Sequence, residues 1–227
     1  FFFNHTPTTS IKIILFVGCL LCEKRQGQDG NTGLNDNIQY SSPVQIGSLT
    51  TWTGTVDTLS GGYMNTMAIR TDGTLWVWGN NQWGQLGQNS TNGTANNSPL
   101  QIPGTTWSKV ANIYYGGLAI KTDGTLWSWG YGQYGSFGNS QPGAFRRSSP
   151  TQIPGTWNQA VTSLWAYTIA TKANGELWAW GRNNDQGGGN LGQNDRTTTS
   201  SPKQVPGTTW RYAWNAFAAS FVLKDAE

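Results

Sequence analysis

Three copies of one short phrase constrain this chain more than anything else in it. Gly73-Thr74-Leu75-Trp76-Val77-Trp78-Gly79 returns as Gly124-Thr125-Leu126-Trp127-Ser128-Trp129-Gly130 and again as Gly175-Glu176-Leu177-Trp178-Ala179-Trp180-Gly181, each 51 residues after the last. A fixed period of that length marks a repeat architecture, whose units bury their faces by stacking on one another. A second phrase keeps nearly the same period: Ser98-Pro99-Leu100-Gln101-Ile102, Ser149-Pro150-Thr151-Gln152-Ile153 and Ser201-Pro202-Lys203-Gln204-Val205. An earlier copy, Ser42-Pro43-Val44-Gln45-Ile46, opens the series, and a lone Trp follows each one at Trp52, Trp107, Trp157 and Trp210.

Within a unit every local signal is β. An apolar run such as Leu118-Ala119-Ile120 passes through Asp123-Gly124 into Leu126-Trp127-Ser128-Trp129. Asp-Gly between apolar runs predicts a hairpin closed by a two-residue turn, because Gly takes positive φ at little cost. Asp72-Gly73 and Asn174-Gly175 repeat it. Strand alternation sets Leu75 and Val77 on one face and Trp76 and Trp78 on the other. Both faces are apolar, so each sheet is expected to lie between two neighbours. The Ser-Pro segments suit edge strands, where one missing donor is tolerated. Thirteen Trp and thirty Gly beside only 11% charged residues agree with short strands and tight turns, not amphipathic helices.

After each Trp pair comes a Gly-rich loop, first as Gly79-Asn80-Asn81-Gln82-Trp83-Gly84-Gln85-Leu86-Gly87. With the Asp-Gly turn and the strand ending in Trp-Gly before it, this stretch resembles the regulator of chromosome condensation repeat family. The resemblance covers roughly residues 41 to 227. It implies an all-β fold, a β-propeller of four-stranded blades with seven in the closed form. Here it implies about three and a half blades of some 51 residues, the last broken off mid-blade at Glu227.

Three regions follow. Residues 1–25 read as an export leader: Lys12, the apolar Ile13-Ile14-Leu15-Phe16-Val17, then Gly18 and Cys19. Val17-Gly18-Cys19 resembles a lipoprotein box and makes Cys19 a lipidation candidate, with a plain signal peptide or translation from upstream of the true start as alternatives. Residues 26–42, rich in Gly, Asn, Asp and Gln, read as a flexible spacer, and 43–227 as the repeat array. Residue 1 is Phe and the first Met is Met64, so the sequence reads as a fragment of a longer array. The expected location is secreted, or lipid-anchored at the cell surface through Cys19, the only membrane contact foreseen.

The only histidine is His5 and the only cysteines are Cys19 and Cys22, all ahead of the repeats. His-based acid–base catalysis, Cys–His nucleophiles and Cys/His zinc sites are therefore not expected in the array. Asp72, Asp123 and Glu176 sit in or beside hairpin turns, where a structural role explains them. No enzyme, cofactor or metal is expected. A net charge of +3 without a basic stripe argues against nucleic acid.

Candidate binding residues are loop aromatics. Tyr63, Tyr114 and Trp165 recur at 51-residue spacing before the second strand of each unit, with Phe217 near the same place in the fourth. Trp83 and Tyr134 form a second series in the Gly-rich loop, broken by Asp185, and Arg146, Arg147 and Arg182 supply cations. Aromatics on rigid loops are good binding anchors; the structural alternative is packing between blades. The expected function is an exported interaction module that binds a protein. A carbohydrate-binding propeller is the alternative, since Trp and Tyr stack on sugar rings. The family's founder implies a third reading, nucleotide exchange on a small GTPase or chromatin binding. A plant relative's photosensing motif Gly-Trp-Arg-His-Thr is matched by Gly62-Tyr63-Met64-Asn65-Thr66, which keeps only the Gly and Thr.

Overall fold

The computed structural model describes residues 30, 32–38, 46, 52–53, 55, 57–90, 93–141, 145–163, 166–184, 188–215 and 220–224. Strands β1 (Leu59–Gly61), β2 (Asn65–Ile69), β3 (Leu75–Gly79) and β4 (Asn96–Ile102) form one antiparallel sheet in that order. Strands β5 (Trp107–Ile113), β6 (Gly116–Lys121), β7 (Leu126–Gly132) and β8 (Phe145–Ile153) form a second. Strands β9 (Gln159–Thr162), β10 (Tyr167–Thr171), β11 (Leu177–Gly181) and β12 (Thr199–Val205) form a third. The pair β13 (Trp210–Asn215) and β14 (Ser220–Lys224) makes the first half of a fourth. The described residues therefore form three and a half blades of a β-propeller.

The turn between second and third strands is one residue longer than the Asp-Gly pair implied. Arg70 N–H donates to Thr74 C=O at 2.9 Å and Gly73 N–H to Arg70 C=O at 2.9 Å, which leaves Thr71-Asp72-Gly73 as the loop. Gly73 at φ +77° closes it, the three-residue form with a left-handed third residue. Asp is needed because its Oδ1 accepts from Thr74 N–H (3.0 Å) and Thr74 Oγ1 (2.6 Å). Asp123 does the same for Thr125.

Pro99, Pro150 and Pro202 fall on β4, β8 and β12, each the outer edge of its sheet, as the missing N–H requires. The first strands lie against one another: Val110 N–H reaches Asp57 C=O (2.7 Å), Asn112 N–H reaches Ser60 Oγ (2.9 Å), and Ala213 N–H reaches Gln159 Oε1 (3.1 Å).

The hydrophobic core lies between blades. Met67, Leu75, Val77 and Ile102 of the first meet Trp107, Ala119 and Trp129 of the second. Leu118, Ile120, Leu126 and Ile153 meet Trp157 and Trp180 of the third, and Ile169, Leu177 and Ala179 meet Ala213 of the half-blade. The second Trp of each pair is the most enclosed indole of its blade: Trp78, Trp129 and Trp180 are 1%, 0% and 0% exposed. Beyond the half-blade the pattern stops, and Phe221 and Leu223 stand exposed where the register places Leu118 and Ile120 in the second blade.

Ahead of residue 43, where the array is expected to begin, three positions share the geometry of the repeat loops. Gly30, Gly33 and Asn35 have φ of +67°, +75° and +64°, matching Gly84, Gly87 and Asn89 (+81°, +62°, +56°) and Gly135, Gly138 and Ser140 (+73°, +66°, +63°). The contacts match too. Asn35 N–H donates to Asn97 C=O at 2.8 Å, as Asn89 does to Ser148 (2.6 Å) and Ser140 to Ser200 (2.9 Å). Ser98 Oγ meets Asn35 Oδ1 at 3.0 Å, as Ser149 Oγ meets Asn89 Oδ1 at 3.2 Å. Gly33 lies against the Trp78 indole just as Gly87 lies against Trp129. Gly30, Gly33 and Asn35 thus lie against the first blade as the ends of the later repeat loops lie against theirs. The leader region, with Cys19, lies outside the described residues.

Candidate functional site

In a four-stranded antiparallel blade the first and third connections emerge at one end, and the Asp-Gly turn at the other. Both series of loop aromatics therefore share an end, and between the first and second blades they meet. Tyr63 stacks on Tyr114 with centroids 4.6 Å apart and planes 22° from parallel. Tyr115 meets Tyr114 edge-on at 4.2 Å and lies 5.6 Å from Trp83. Trp83 packs on Tyr131 at 4.7 Å, and the Arg146 guanidinium carbon sits 4.2 Å from the Trp83 ring centroid. The five rings are half-buried and Arg146 is exposed.

The expected residues are thus partly brought together. Tyr63, Tyr114 and Trp83, read as two separate series, belong to one aromatic run across a blade seam. Tyr134 lies at the next seam, at φ +55°, with the Arg182 guanidinium 4.4 Å from its centroid. Trp83–Tyr131 and Tyr134–Arg182 are equivalent pairs, with Arg182 in the place of Tyr131. Arg147 instead lies 5.3 Å from Phe145 on its own strand. Trp165 and Phe217 lie outside the described residues. Tyr115 and Tyr131 complete the run without having been singled out, because neither recurs as an aromatic in the other units.

Hydroxyls as well as rings cluster here. Burial first, then hydrogen bonding and the field of the Tyr115 and Tyr63 hydroxyls, push the Tyr114 phenol well above its ordinary range. It stays neutral and can both donate and accept.

The opposite end is occupied by its own residues. Arg70 lies 4.9 and 4.1 Å from the Trp52 and Trp76 rings, Lys121 4.8 and 4.5 Å from Trp107 and Trp127, and Lys172 5.6 and 4.1 Å from Trp157 and Trp178. The first Trp of each pair donates its Nε1–H into the turn: to Thr74 Oγ1 (2.8 Å), Thr125 Oγ1 (2.9 Å) and Glu176 Oε2 (3.0 Å). Asp72, Asp123 and Glu176 each have a structural task there.

Those tasks set an acid limit. Hydrogen bonds from Thr74 hold the Asp72 carboxyl below its ordinary value, bonds from Thr125 do so for Asp123, and those from Lys172 and Trp178 for Glu176. A carboxyl whose folded pKa is depressed stabilises above its unfolded value, about 4. That contribution is lost as pH falls through the lower folded value. The urea midpoint should therefore be insensitive to these groups at neutral pH and decline below about pH 4. Asp123→Asn, which keeps the turn acceptor that Asn174 supplies in the third unit, should fold and reduce the decline. An unchanged acid limb in that variant would count against this account.

Known proteins resemble this chain in sequence and fold. Residues 72–117 match the family model described as "Regulator of chromosome condensation (RCC1) repeat". The RCC1 domain-containing protein RUG3, mitochondrial, of Arabidopsis thaliana is 29% identical over 192 residues, 79% of this chain and 42% of its own length. The human E3 ubiquitin-protein ligase HERC2 is 26% identical over 80% of this chain and 4% of its own length. Among solved structures, human WBSCR16 superposes with a TM-score of 0.66 at 25% identity, over 80% of this chain and 47% of that one. Saccharomyces cerevisiae Prp20p, studied with its binding to Gsp1p and histones, gives 0.67 at 19% identity over 81% and 45%, a likeness of fold alone. The chain spans less than half the length of each of these relatives.

Proposed function

We propose, from the premise that this chain is an RCC1-repeat protein, that it is a protein-interaction module whose contact surface is the aromatic seam between its first two blades. The observation that carries this is the run Tyr63, Tyr114, Tyr115, Trp83 and Tyr131, ending on the exposed Arg146. Tyr, Trp and Arg are the residues that dominate binding energy at protein interfaces, and rings stacked on one another lose little further freedom on binding. A packing role alone would not leave the five rings half open at a blade end. We place the module outside the cell because of Lys12, the apolar run after it and Cys19.

The test is capture of a partner by the full chain from the surface fraction of its source cells. Trp83→Ser with Tyr114→Ser should weaken capture at least about 30-fold, since truncating one such anchor already costs about 2 kcal/mol or more, with the far-ultraviolet circular dichroism unchanged. Undiminished capture by the folded variant would sink the assignment of the seam. Recovery of the chain only from the cytosol would sink the export reading. Binding to a glycan array that depends on the same two residues would move the surface to the carbohydrate reading.

A further inference from the structure

We infer that the polypeptide bound at the aromatic seam is acidic, its carboxylates meeting Arg146 while its side chains lie on the tyrosine and tryptophan rings. This rests on the seam being a protein-binding surface and adds the chemistry of the partner.

Charge distribution carries the inference. Between residues 58 and 175 the sequence holds two carboxylates, Asp72 and Asp123, both in Asp-Gly turns, so the loops that build the seam contribute none. Asp123 sits in the Asp-Gly turn at the far end of its blade, bonded to Thr125 and beside Lys121. At that far end the cations have company: Lys172 pairs with Glu176 at 3.0 Å, and Arg70 lies in the field of Asp72. Arg146 differs. It is exposed, and among the described residues no carboxylate pairs with it. Arg146 and Arg147 are thus the cations of the first two blades without a carboxylate beside them among the described residues, and Arg146 is the one on the aromatic surface.

Geometry makes that charge specific. A guanidinium lying on an indole keeps its edge N–H groups directed outward, and those form two parallel bonds to a carboxylate. Stacking on Trp83 holds the group in place before a partner arrives, so less freedom is lost on pairing. A lysine would supply the charge without the fork. Rim charges of this kind steer encounter and select partners by sign.

The test uses the full chain and fluorescently labelled peptides read by anisotropy: one alternating Glu and Tyr, its Gln-for-Glu counterpart, and a single-stranded oligonucleotide. The acidic peptide should bind, more weakly as salt is raised, and at least tenfold more tightly than the Gln peptide. Arg146→Gln should cost at least tenfold for the acidic peptide only, and Arg146→Lys should fall between. Equal binding of the two peptides, or no effect of Arg146→Gln in a variant with native circular dichroism, overturns the inference. An oligonucleotide that binds as tightly also overturns it, in favour of a general polyanion site. If neither peptide binds while partner capture still depends on Trp83 and Tyr114, the acidic partner is wrong and the interaction module stands. If capture ignores those residues, the module reading itself fails.

Discussion

Trp129→Ala is expected to remove about 3–5 kcal/mol of stability, the range for deleting a fully buried Trp. The indole is wholly enclosed, its Nε1–H donates to Gln85 C=O of the preceding blade at 2.8 Å, and Gly87 of that same blade lies on its ring. Removing it opens a cavity between two sheets and leaves a buried carbonyl without its donor, so two blades are weakened by one change. Trp127→Ala should cost clearly less. That ring is half-exposed and bonds within its own turn, to Thr125. Urea denaturation of both variants decides the matter. A Trp129 variant within 1 kcal/mol of the parent would mean the seam closes over the gap, and that the core is not where we place it.

Gly130→Ala should be the other large loss, about 3 kcal/mol or more, from backbone strain and overpacking together. Gly130 has φ +101°, a region L-residues avoid, and a Cβ there would lie 2.4 Å from both Gly116 Cα and Tyr115 C=O. Neither neighbour is a flexible side-chain tip, so the two strands must part. The same substitution should disturb the aromatic seam, because Tyr115 and Tyr131 flank the strained contact and Tyr131 N–H donates to Tyr115 C=O at 2.9 Å. Near-ultraviolet circular dichroism should therefore change along with the denaturation midpoint. A stability loss with an unchanged aromatic spectrum would show that the seam does not depend on this crossing.

Features set by a few neighbouring residues were legible in the sequence. Asp72-Gly73 announces its hairpin because the turn needs a side-chain acceptor and a positive φ in succession. Pro99 announces an edge because it lacks a donor, and the Trp76/Trp78 alternation announces a sheet apolar on both faces. Features made between units were harder to see. Aligning the copies compares Trp83 with Tyr134 and Tyr131 with Arg182, yet the contacts join Trp83 to Tyr131 and Tyr134 to Arg182. Repeat alignment finds equivalent positions, whereas stacking pairs non-equivalent ones. The likeness of Gly30, Gly33 and Asn35 to the repeat loops escaped notice because that stretch carries no Trp and shares its Gly and Asn with linker composition. Its signal was the offset alone, Gly, then Gly three residues later, then Asn two after that, as at Gly84, Gly87 and Asn89.

The clasp between Asn35 and the first blade decides where this protein can be trimmed. Starting a shortened chain at residue 43, where the Ser-Pro phrase begins, would take away the glycine that lies on Trp78 and the bonds to Asn97 and Ser98. Trp78, the buried indole of the first blade, would then face water on that side, and the outer strand β4 would lose a clasp of the kind that β8 keeps to Asn89. Any soluble fragment prepared for crystallisation or binding work should begin no later than Gly30, and a difference in yield between the two starting points measures what those thirteen residues contribute.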